Sequence, residues 1–336
     1  MRRTLILILA AFALLAFAYS LVVPPFETPD EMQHYGFARQ MAQEMALPVQ
    51  SVPPTGPWEH EGSQAPLYYT IVGILTSAID QSDFPAISVR NPRANIGNPL
   101  FPGNKNYVLH SSANRPLRGA NLALHVGRWF SLLLGVATLF FTWKTARLAF
   151  GEQKRLALLA VLFAAALPQF AFVSGSLTND ALVTVLGAAT IWWLARLLAK
   201  DAATPIGWRE WGVLGVILGL AALSKLQGLG LFLLSALAGI MLMVQRRDLR
   251  LPLHAILPVA LPPLLIAGWW YLRNFLLYRD WTGSRYLLEI NGDRVVSMGL
   301  ADWWLEFRGL RYSFWGLFGW FNLVLPGWLY LLFDVL

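Results

Sequence analysis

Long apolar runs separated by short charged stretches dominate the hydrophobic pattern of this chain. Most of these runs extend over about 16 to 22 residues, the length that an α-helix needs to cross the hydrocarbon core of a bilayer. The pattern predicts eight membrane-spanning helices, at 4–23, 118–148, 156–174, 181–199, 210–224, 226–244, 252–272 and 319–336. We therefore expect an all-α polytopic membrane protein.

Two shorter segments are predicted to be helices that do not span the bilayer. The apolar segment 66–79 has only 14 residues, which suits a helix lying at the membrane interface. Pro24 and Pro25 stop the first span, and Thr28-Pro29-Asp30 is typical of a new helix start, predicted over 30–46. The first outer loop, 24–65, would thus carry one interfacial helix and lead into the other.

Composition supports the membrane class and excludes several chemistries. Apolar residues make up 56% of the chain and charged residues 13%, against about 25% charged in soluble domains. The absence of cysteine excludes thiol nucleophiles, disulfides and thiolate metal sites. Neither a P-loop nor a G-x-G-x-x-G motif is present, so no nucleotide cofactor is expected.

The distribution of charge predicts the topology. With the N-terminus in the cytoplasm, the short inner segments carry twelve lysines and arginines against four acids, as the positive-inside rule requires. The net charge of +7 is thereby explained without nucleic acid. The long segments 24–65, 80–117 and 273–318 fall outside, so we expect the active site to be extracytoplasmic. We expect a single membrane-embedded domain over 1–336. It is expected to lie in the plasma (inner) membrane, in contact with membrane lipids.

Acidic residues mark three candidate points of chemistry on the outer side. Asp30 and Glu31 follow the first span, and His34 lies one turn further on. The two carboxylates could shift each other's pKa so that one acts as a general base, or they could merely cap a surface helix. Glu59, His60 and Glu61 could bind a divalent cation or form a solvated polar turn. Asp180, at the start of the fourth span, could be a helix cap.

Cations at headgroup depth form a complementary set. Arg128, Lys225 and Arg273 could hold a lipid phosphate or pyrophosphate. The alternative is that each long side chain snorkels to the interface, which explains Arg273 more easily than Lys225, because Lys225 lies between two apolar spans.

The order of these motifs resembles the GT-C membrane glycosyltransferases, in particular the polyprenyl-phosphate-dependent, family-39-like and DUF2142-type members. The resemblance covers roughly residues 1–325 and rests on P-D-E-x-x-H-Y at 29–35, E-x-x-Q-x-P-L-Y-Y at 61–69, N-D at 179–180, S-K-L-x-G at 224–228 and W-Y-L-R-N at 270–274. It implies a GT-C-like fold of about eight helices, with long extracytoplasmic loops carrying interfacial helices.

The resemblance also implies roles for individual residues. Asp30 and Glu31 would be catalytic, with Asp30 as the general base or the acid that orients the acceptor. Substrate-binding roles fall to His34, Glu61, Gln64, Arg128, Asp180, Lys225 and Arg273. The one cofactor that the resemblance leaves open is a divalent cation bound by Glu61 and Asp180.

The expected activity is sugar transfer from a polyprenyl-phosphate donor to a hydroxyl of a glycan, lipid or protein acceptor, by a single inverting displacement. Two alternatives stay open: a lipid or sugar transporter or flippase, and a non-catalytic membrane assembly protein derived from a transferase. The resembling proteins commonly have more spans and a longer C-terminal part, so this chain is expected to be a short member or to lack an acceptor-selecting outer domain.

Overall fold

The computed structural model describes residues 2–111, 117–292 and 297–335, and it is mostly helical, with almost no strand. The α-helices in chain order are α1 (Arg2–Val22), α2 (Glu31–Glu44), α3 (Leu67–Thr76), α4 (Phe84–Ile87), α5 (Gly119–Phe150), α6 (Lys154–Ala165), α7 (Pro168–Ser174), α8 (Asp180–Leu198), α9 (Trp208–Ala222), α10 (Gly230–Arg246), α11 (Leu251–Ile266), α12 (Gly268–Tyr278), α13 (Ser284–Asn291), α14 (Leu300–Trp315) and α15 (Gly327–Val335). Two 3₁₀ helices lie at Glu59–Ser63 and Leu226–Leu229.

Four helical segments of the described chain are long and apolar enough to cross a membrane: Arg2–Val22, Gly119–Phe150, Asp180–Leu198 and Leu226–Arg246. Two further pairs qualify only if each bent pair is one span. Helices α6 and α7 meet at 66° where Pro168 follows Leu167, and the α11–α12 pair is bent by 53°. Proline interrupts the backbone hydrogen bonds of a helix, which gives the first bend a local cause. The multi-pass membrane character predicted from the sequence is confirmed.

Among the described residues, four helices, or six if each bent pair is one span, meet this criterion, against the eight spans predicted. The segment 210–224 forms α9, whose 15 residues extend over only about 22 Å. The predicted span at 319–336 is wrong: an antiparallel pair of strands, β1 (Leu317–Phe318) and β2 (Leu323–Val324), precedes the nine-residue α15. Gly319 at the turn has φ 59°, a conformation that glycine adopts without strain and that a continuous helix excludes.

Close backbone contact joins the helices on one side of the fold. A methyl group added at Gly215 of α9 would lie 2.7 Å from the carbonyl oxygens of Pro258 and Val259 in α11. Small residues allow such approach between membrane helices. Trp211, Leu214 and Leu218 of α9 belong to the apolar cluster that unites α8, α9, α10 and α11.

The two predicted non-spanning helices are confirmed as α2 and α3, and they pack against each other and against the start of α5. Phe37 of α2 and Tyr69 of α3 stack with ring centroids 4.1 Å apart, and Tyr68 donates a hydrogen bond to the Gly127 carbonyl of α5. Since Phe37, Tyr68 and Tyr69 are fully buried, this substructure is a packed platform. Its position at the membrane surface stays a prediction.

The loop predicted at 80–117 is described over residues 80–111 and 117, and it packs against Glu27 and Trp320. The Glu27 carboxylate anchors this loop by accepting hydrogen bonds from the backbone N–H groups of Tyr107 and Val108 at 2.7 and 3.0 Å. Trp320 packs over the Tyr107 ring, 4.0 Å between centroids, and donates its indole N–H to the Phe26 carbonyl. Residues 112–116 of this loop, and 293–296 of the loop predicted at 273–318, lie outside the described residues.

Candidate active site

The side chains of the two adjacent acids after the first span lie in different environments. Asp30 lies just before α2 in the left-handed region, with φ 57°, a conformation that aspartate tolerates better than most residues. Its side chain is 39% exposed, whereas the side chain of Glu31 is fully buried. Of the two predicted catalytic carboxylates, only Asp30 is therefore accessible to a substrate.

Glu31 forms a buried ion pair with Arg128 of α5, and neither side chain has any exposed area. Arg128 Nε and Nη2 donate to the two Glu31 oxygens at 2.8 and 2.6 Å. The remaining lone pairs of Glu31 accept the backbone N–H groups of Phe26 and Leu177. Every hydrogen-bonding position of this carboxylate is thus occupied by the protein itself.

Arg128 also binds the C-terminal end of α1. Its Nη1 donates to the carbonyl oxygens of Ser20 and Val23 at 2.8 and 2.7 Å, and Nη2 donates to that of Pro24 at 3.0 Å. Helix ends leave carbonyls without partners inside the helix, and a buried guanidinium supplies the missing donors. Glu31 and Arg128 therefore join α1, α2 and α5. Their polar side-chain atoms all have partners within the protein, so none is left for the expected catalytic or substrate-binding contacts.

Asp30 is grouped with His60 and Glu61 of the first 3₁₀ helix. The His60 Nε2 atom lies 3.3 Å from Asp30 Oδ1 and 3.4 Å from Glu61 Oε1. Burial by itself lowers the pKa of His60, but its hydrogen bonds to the two carboxylates outweigh that effect and raise the pKa to about 10. An imidazolium between two carboxylates therefore fixes the side chain of Asp30.

Glu61 connects this group to the buried platform. Tyr69 donates its hydroxyl to Glu61 Oε2 at 3.0 Å, and His34 Nδ1 lies 3.3 Å from the same oxygen. Burial raises the pKa of Glu61, yet the charges and hydrogen bonds of His34 and His60 outweigh burial and hold it well below its usual value. Glu61 is thus an anion held by two histidines and a tyrosine.

A second ion pair lies at the N-terminal end of α8. Lys225 Nζ donates to Asp180 Oδ1 at 2.7 Å, and Thr178 donates its hydroxyl to Asp180 Oδ2 at 3.2 Å. The Thr178 hydroxyl also lies 3.5 Å from His34 Nε2. Polar contacts of 3.5 Å or less therefore run without a break from Asp30 to Lys225.

The other predicted site residues stand apart from this chain of contacts. Arg273 of α12 donates to the Pro48 carbonyl at 2.8 Å and lies over the Trp270 ring, and its Nη1 atom is buried without a partner among the described residues. The half-buried Gln64 side chain makes no hydrogen bond within the described part of the chain. Asp180 pairs with Lys225, and the expectation that Glu61 and Asp180 together hold a cation stays a prediction.

The sequence did not predict three of the residues that form this site. His60 was considered only with its two neighbouring acids, and Tyr69 and Thr178 received no role. The signal for His60 was its position between two acids in an outer loop. Tyr69 ends the motif at 61–69 but received no role from it, and nothing local marks Thr178. The partners of both residues are brought to them by the packing of α2, α3 and α8.

A large apolar groove opens between α9, α10, α11 and α12. Its volume is about 780 Å³, and its walls run from Trp211 and Leu251 at one end to Ala222, Leu229 and Tyr271 at the other. Lys225 lies in the connection between Ala222 and Leu229. The groove therefore runs along α9, α10 and α11 to the end of the fold that holds the ion pair.

The sequence and the fold were compared with known proteins. The family model of the dolichyl-phosphate-mannose-protein mannosyltransferases matches residues 120–271, which include Arg128, Asp180 and Lys225. No curated protein sequence matches the chain. The structure is similar to that of the S. cerevisiae protein O-mannosyltransferase Pmt1–Pmt2 complex bound to the sugar donor, with a TM-score of 0.53 and 17% sequence identity.

That structural match covers 81% of this chain and 34% of the yeast chain, so the present chain spans about a third of the length of the protein it resembles. The match confirms the fold class predicted from the order of the motifs. Asp30, His60 and Glu61 lie outside the region of the family match, so their positions come from this structure alone. The chain is a multi-pass membrane protein with the GT-C fold of the membrane glycosyltransferases.

Proposed function

We propose that this protein transfers a sugar from a polyprenyl-phosphate donor to an acceptor hydroxyl at the extracytoplasmic face of the plasma membrane. The observation that carries the proposal is the unbroken set of polar contacts from the accessible Asp30 to Lys225, beside the end of an apolar groove. One end of this set offers a base and the other a cation, and the groove suits a hydrocarbon tail. These are the three elements that transfer from a lipid phosphosugar requires.

In the proposed reaction, Asp30 accepts the proton of the acceptor hydroxyl as its oxygen attacks the anomeric carbon of the donor sugar. The bond from that carbon to the phosphate oxygen breaks, and the polyprenyl phosphate leaves with the electron pair. Lys225 stabilises the charge that develops on the phosphate, and the unpartnered Nη1 of Arg273 is a second donor for it. One base and a stabilised leaving group suffice for inversion, so no carboxylate nucleophile is needed.

The acceptor is proposed to be a protein, glycan or lipid hydroxyl, and the family match favours a protein acceptor. The transporter or flippase alternative and the assembly-protein alternative both predict no transfer. The direct test is the reconstituted protein with radiolabelled polyprenyl-phosphate mannose and a serine- and threonine-containing peptide. Release of polyprenyl phosphate with label in the peptide would support transfer, whereas movement of intact donor across the bilayer without release would contradict it.

Replacing Lys225 by glutamine is expected to lower kcat/KM for the donor by about 10- to 100-fold, because a hydrogen bond to a charged group contributes about 1.5–3 kcal/mol. Lys225→Arg should retain more activity, since it keeps the positive charge. The matched control is Lys200→Gln, which removes a lysine paired with Glu210 beyond the opposite end of α8. Equal losses in both glutamine variants would contradict a phosphate contact specific to Lys225.

The groove can be filled without disturbing the packing of the helices. Gly239 of α10 lines the groove, and a methyl group added there would meet no atom within 4 Å. Gly239→Trp is expected to raise KM for a long-chain polyprenyl donor by about 10-fold, since each buried methylene is worth about 0.8 kcal/mol. A donor with two isoprene units should be affected little.

The control for this variant is Gly212→Trp in α9, because Gly212 has equally open surroundings and does not line the groove. Steady-state kinetics with the two donors measure the effect. A tryptophan at 239 that leaves KM for the long donor unchanged would show that the tail binds elsewhere.

A further inference from the structure

A small cavity lies beside the C-terminal end of α1 and shares no lining residue with the apolar groove. Its volume is about 230 Å³, below the roughly 300–1,000 Å³ of sites for drug-sized ligands, so it suits a small polar group and not a whole lipid. Its walls come from α1 and the residues after it, the loop 80–111, α7 and the β1–β2 hairpin. The proposed transfer reaction uses none of these residues.

Three aromatic rings line this cavity and contact one another. The Tyr19 and Phe318 rings stack with their centroids 6.2 Å apart. The Phe172 ring meets both edge-on, with its centroid 5.9 Å from that of Tyr19 and 5.1 Å from that of Phe318. Aromatic rings attract a nearby cation, and groups of rings form the sites that recognise ammonium ligands. The aromatic part of the wall therefore favours a cationic ligand group.

A hydrogen-bond acceptor without a partner lies in the same wall. Asn322 is 1% exposed, and its Oδ1 atom is buried with no hydrogen-bond partner among the described residues. This atom lies against Gly319, where an added methyl group would come within 2.5 Å of it, and both residues line the cavity. Because a buried acceptor without a partner is costly, the cavity suits a ligand that donates a hydrogen bond.

Two side chains of opposite charge complete the cavity. Glu27 is buried, and among the described residues its carboxylate pairs with His110 but with no lysine or arginine. Lys105 Nζ donates to the carbonyl oxygens of Pro99 and Asn322, which leaves one of its three N–H groups without a partner among the described residues. A carboxylate beside aromatic rings suits an ammonium group, and the remaining lysine N–H suits a phosphate oxygen.

The position of the cavity indicates a membrane lipid as the source of such a zwitterion. Helix α1 is long and apolar enough to cross the membrane, so its C-terminal end lies at the depth of the lipid headgroups. Val22 and Leu323 line the cavity and are 78% and 47% exposed, so they add an apolar surface next to its polar groups. A phospholipid can therefore place its headgroup in the cavity and its acyl chains along α1.

We propose that this cavity binds the headgroup of a phospholipid that carries a primary ammonium, namely the phosphoethanolamine group of phosphatidylethanolamine. The ammonium lies among the aromatic rings, donates to Asn322 Oδ1 and faces the Glu27 carboxylate. The phosphate accepts the remaining N–H of Lys105. The bound lipid holds α1, the loop 80–111 and the β1–β2 hairpin together, because all three contribute to the walls. Binding at this site does not depend on the proposed sugar transfer.

The first test compares lipids and needs no variant. Native mass spectrometry of the purified, delipidated protein measures its affinity for phosphatidylethanolamine and for phosphatidylglycerol with the same acyl chains. Phosphatidylethanolamine should bind about 10-fold more tightly, because only its headgroup places a cation beside the aromatic rings. N-acetylated phosphatidylethanolamine, whose nitrogen carries no charge, should bind as weakly as phosphatidylglycerol. Equal affinities for the three lipids would overturn the proposal.

The second test changes the cavity itself. Tyr19→Leu removes one ring and should weaken the binding of phosphatidylethanolamine by about 10-fold. Lys105→Met should weaken it by about 10- to 100-fold, because a hydrogen bond to the charged phosphate is lost. The matched controls are Phe17→Leu, which removes a ring of α1 that does not line the cavity, and Lys154→Met, which removes an exposed lysine at the start of α6. If Tyr19→Leu and Lys105→Met bind the lipid like their controls, the proposal is wrong.

Unfolding temperatures separate loss of the site from misfolding. Without lipid, Tyr19→Leu should unfold at nearly the same temperature as Phe17→Leu, whereas added phosphatidylethanolamine should raise that temperature less in Tyr19→Leu, since a ligand stabilises the folded state in proportion to its binding. Soluble phosphoethanolamine should bind the unaltered protein about 100-fold more weakly than the lipid, because each buried methylene of an acyl chain raises the affinity about fourfold. Equal binding of the soluble compound would overturn the assignment to a membrane lipid.

Discussion

Replacing Asp30 by asparagine is expected to lower the rate of sugar transfer by about 10²- to 10⁴-fold, because removal of a general base has an effect of that size. The asparagine keeps the shape of the side chain and its ability to accept a hydrogen bond from His60, but it cannot take the acceptor proton. The loss should fall on kcat, with KM for the polyprenyl donor nearly unchanged, since the donor phosphate is proposed to bind at the Lys225 end of the site. Steady-state kinetics of the reconstituted protein measure both parameters.

The matched control is Glu59→Gln, which neutralises an acid next to His60 that pairs with Arg90. It should retain most of the activity. Because the Asp30 side chain is 39% exposed, Asp30→Asn should leave the protein folded, and unfolding temperatures of the two variants check this. Transfer near the unaltered rate in Asp30→Asn would remove Asp30 from the mechanism, and a matching loss in Glu59→Gln would point to a general effect of charge.

Breaking the buried ion pair between Glu31 and Arg128 is expected to destabilise the protein by about 3–5 kcal/mol, because one partner is left as an uncompensated buried charge. Arg128→Met removes the guanidinium and leaves the Glu31 carboxylate, fully buried, with two backbone N–H donors only. The carbonyl groups at the end of α1 lose their donors as well. We expect a lower unfolding temperature in detergent and a smaller yield of folded protein.

Two comparisons identify the cause of that loss. Lys200→Met breaks the pair with Glu210, whose partners are 26% and 21% exposed, and should change stability by about 1 kcal/mol or less. The double variant Glu31→Leu with Arg128→Met removes both charges and should recover part of the stability, as replaced buried ion pairs do. If Arg128→Met unfolds at the same temperature as Lys200→Met, the pair does not have the structural role assigned to it.

The platform of α2 and α3 shows how much of the fold could be read from sequence. Pro24 and Pro25 after an apolar run, followed by Thr28-Pro29-Asp30, indicated the end of α1 and the start of α2, and the structure has both within one or two residues. Helix boundaries of this kind depend on local backbone chemistry, which the sequence contains. The segment 319–336 shows the limit, because its apolar composition resembles a span while Gly319 and Pro326 turn the chain back into two strands and a short helix.

Glu31 and Asp30 show why the site could be predicted only in part. They are neighbours with the same carboxylate chemistry, and nothing in their surroundings along the chain says which one is buried. The choice is made by Arg128, 97 positions away, which binds Glu31 and the end of α1. Likewise, the grouping of Asp30 with His60 and Glu61 depends on how the loop predicted at 24–65 folds over α2.

The sequence by itself determined that this is a multi-pass helical membrane protein with its ionisable motifs at the ends of apolar runs, and the order of those motifs indicated the GT-C fold. These properties follow from hydrophobicity and helix termination, which are summed over neighbouring residues. Only the tertiary structure decided which acid is accessible to a substrate, which cation forms an ion pair and which helices enclose the groove. Such pairings depend on distances between residues far apart in the chain, and those distances are fixed by packing.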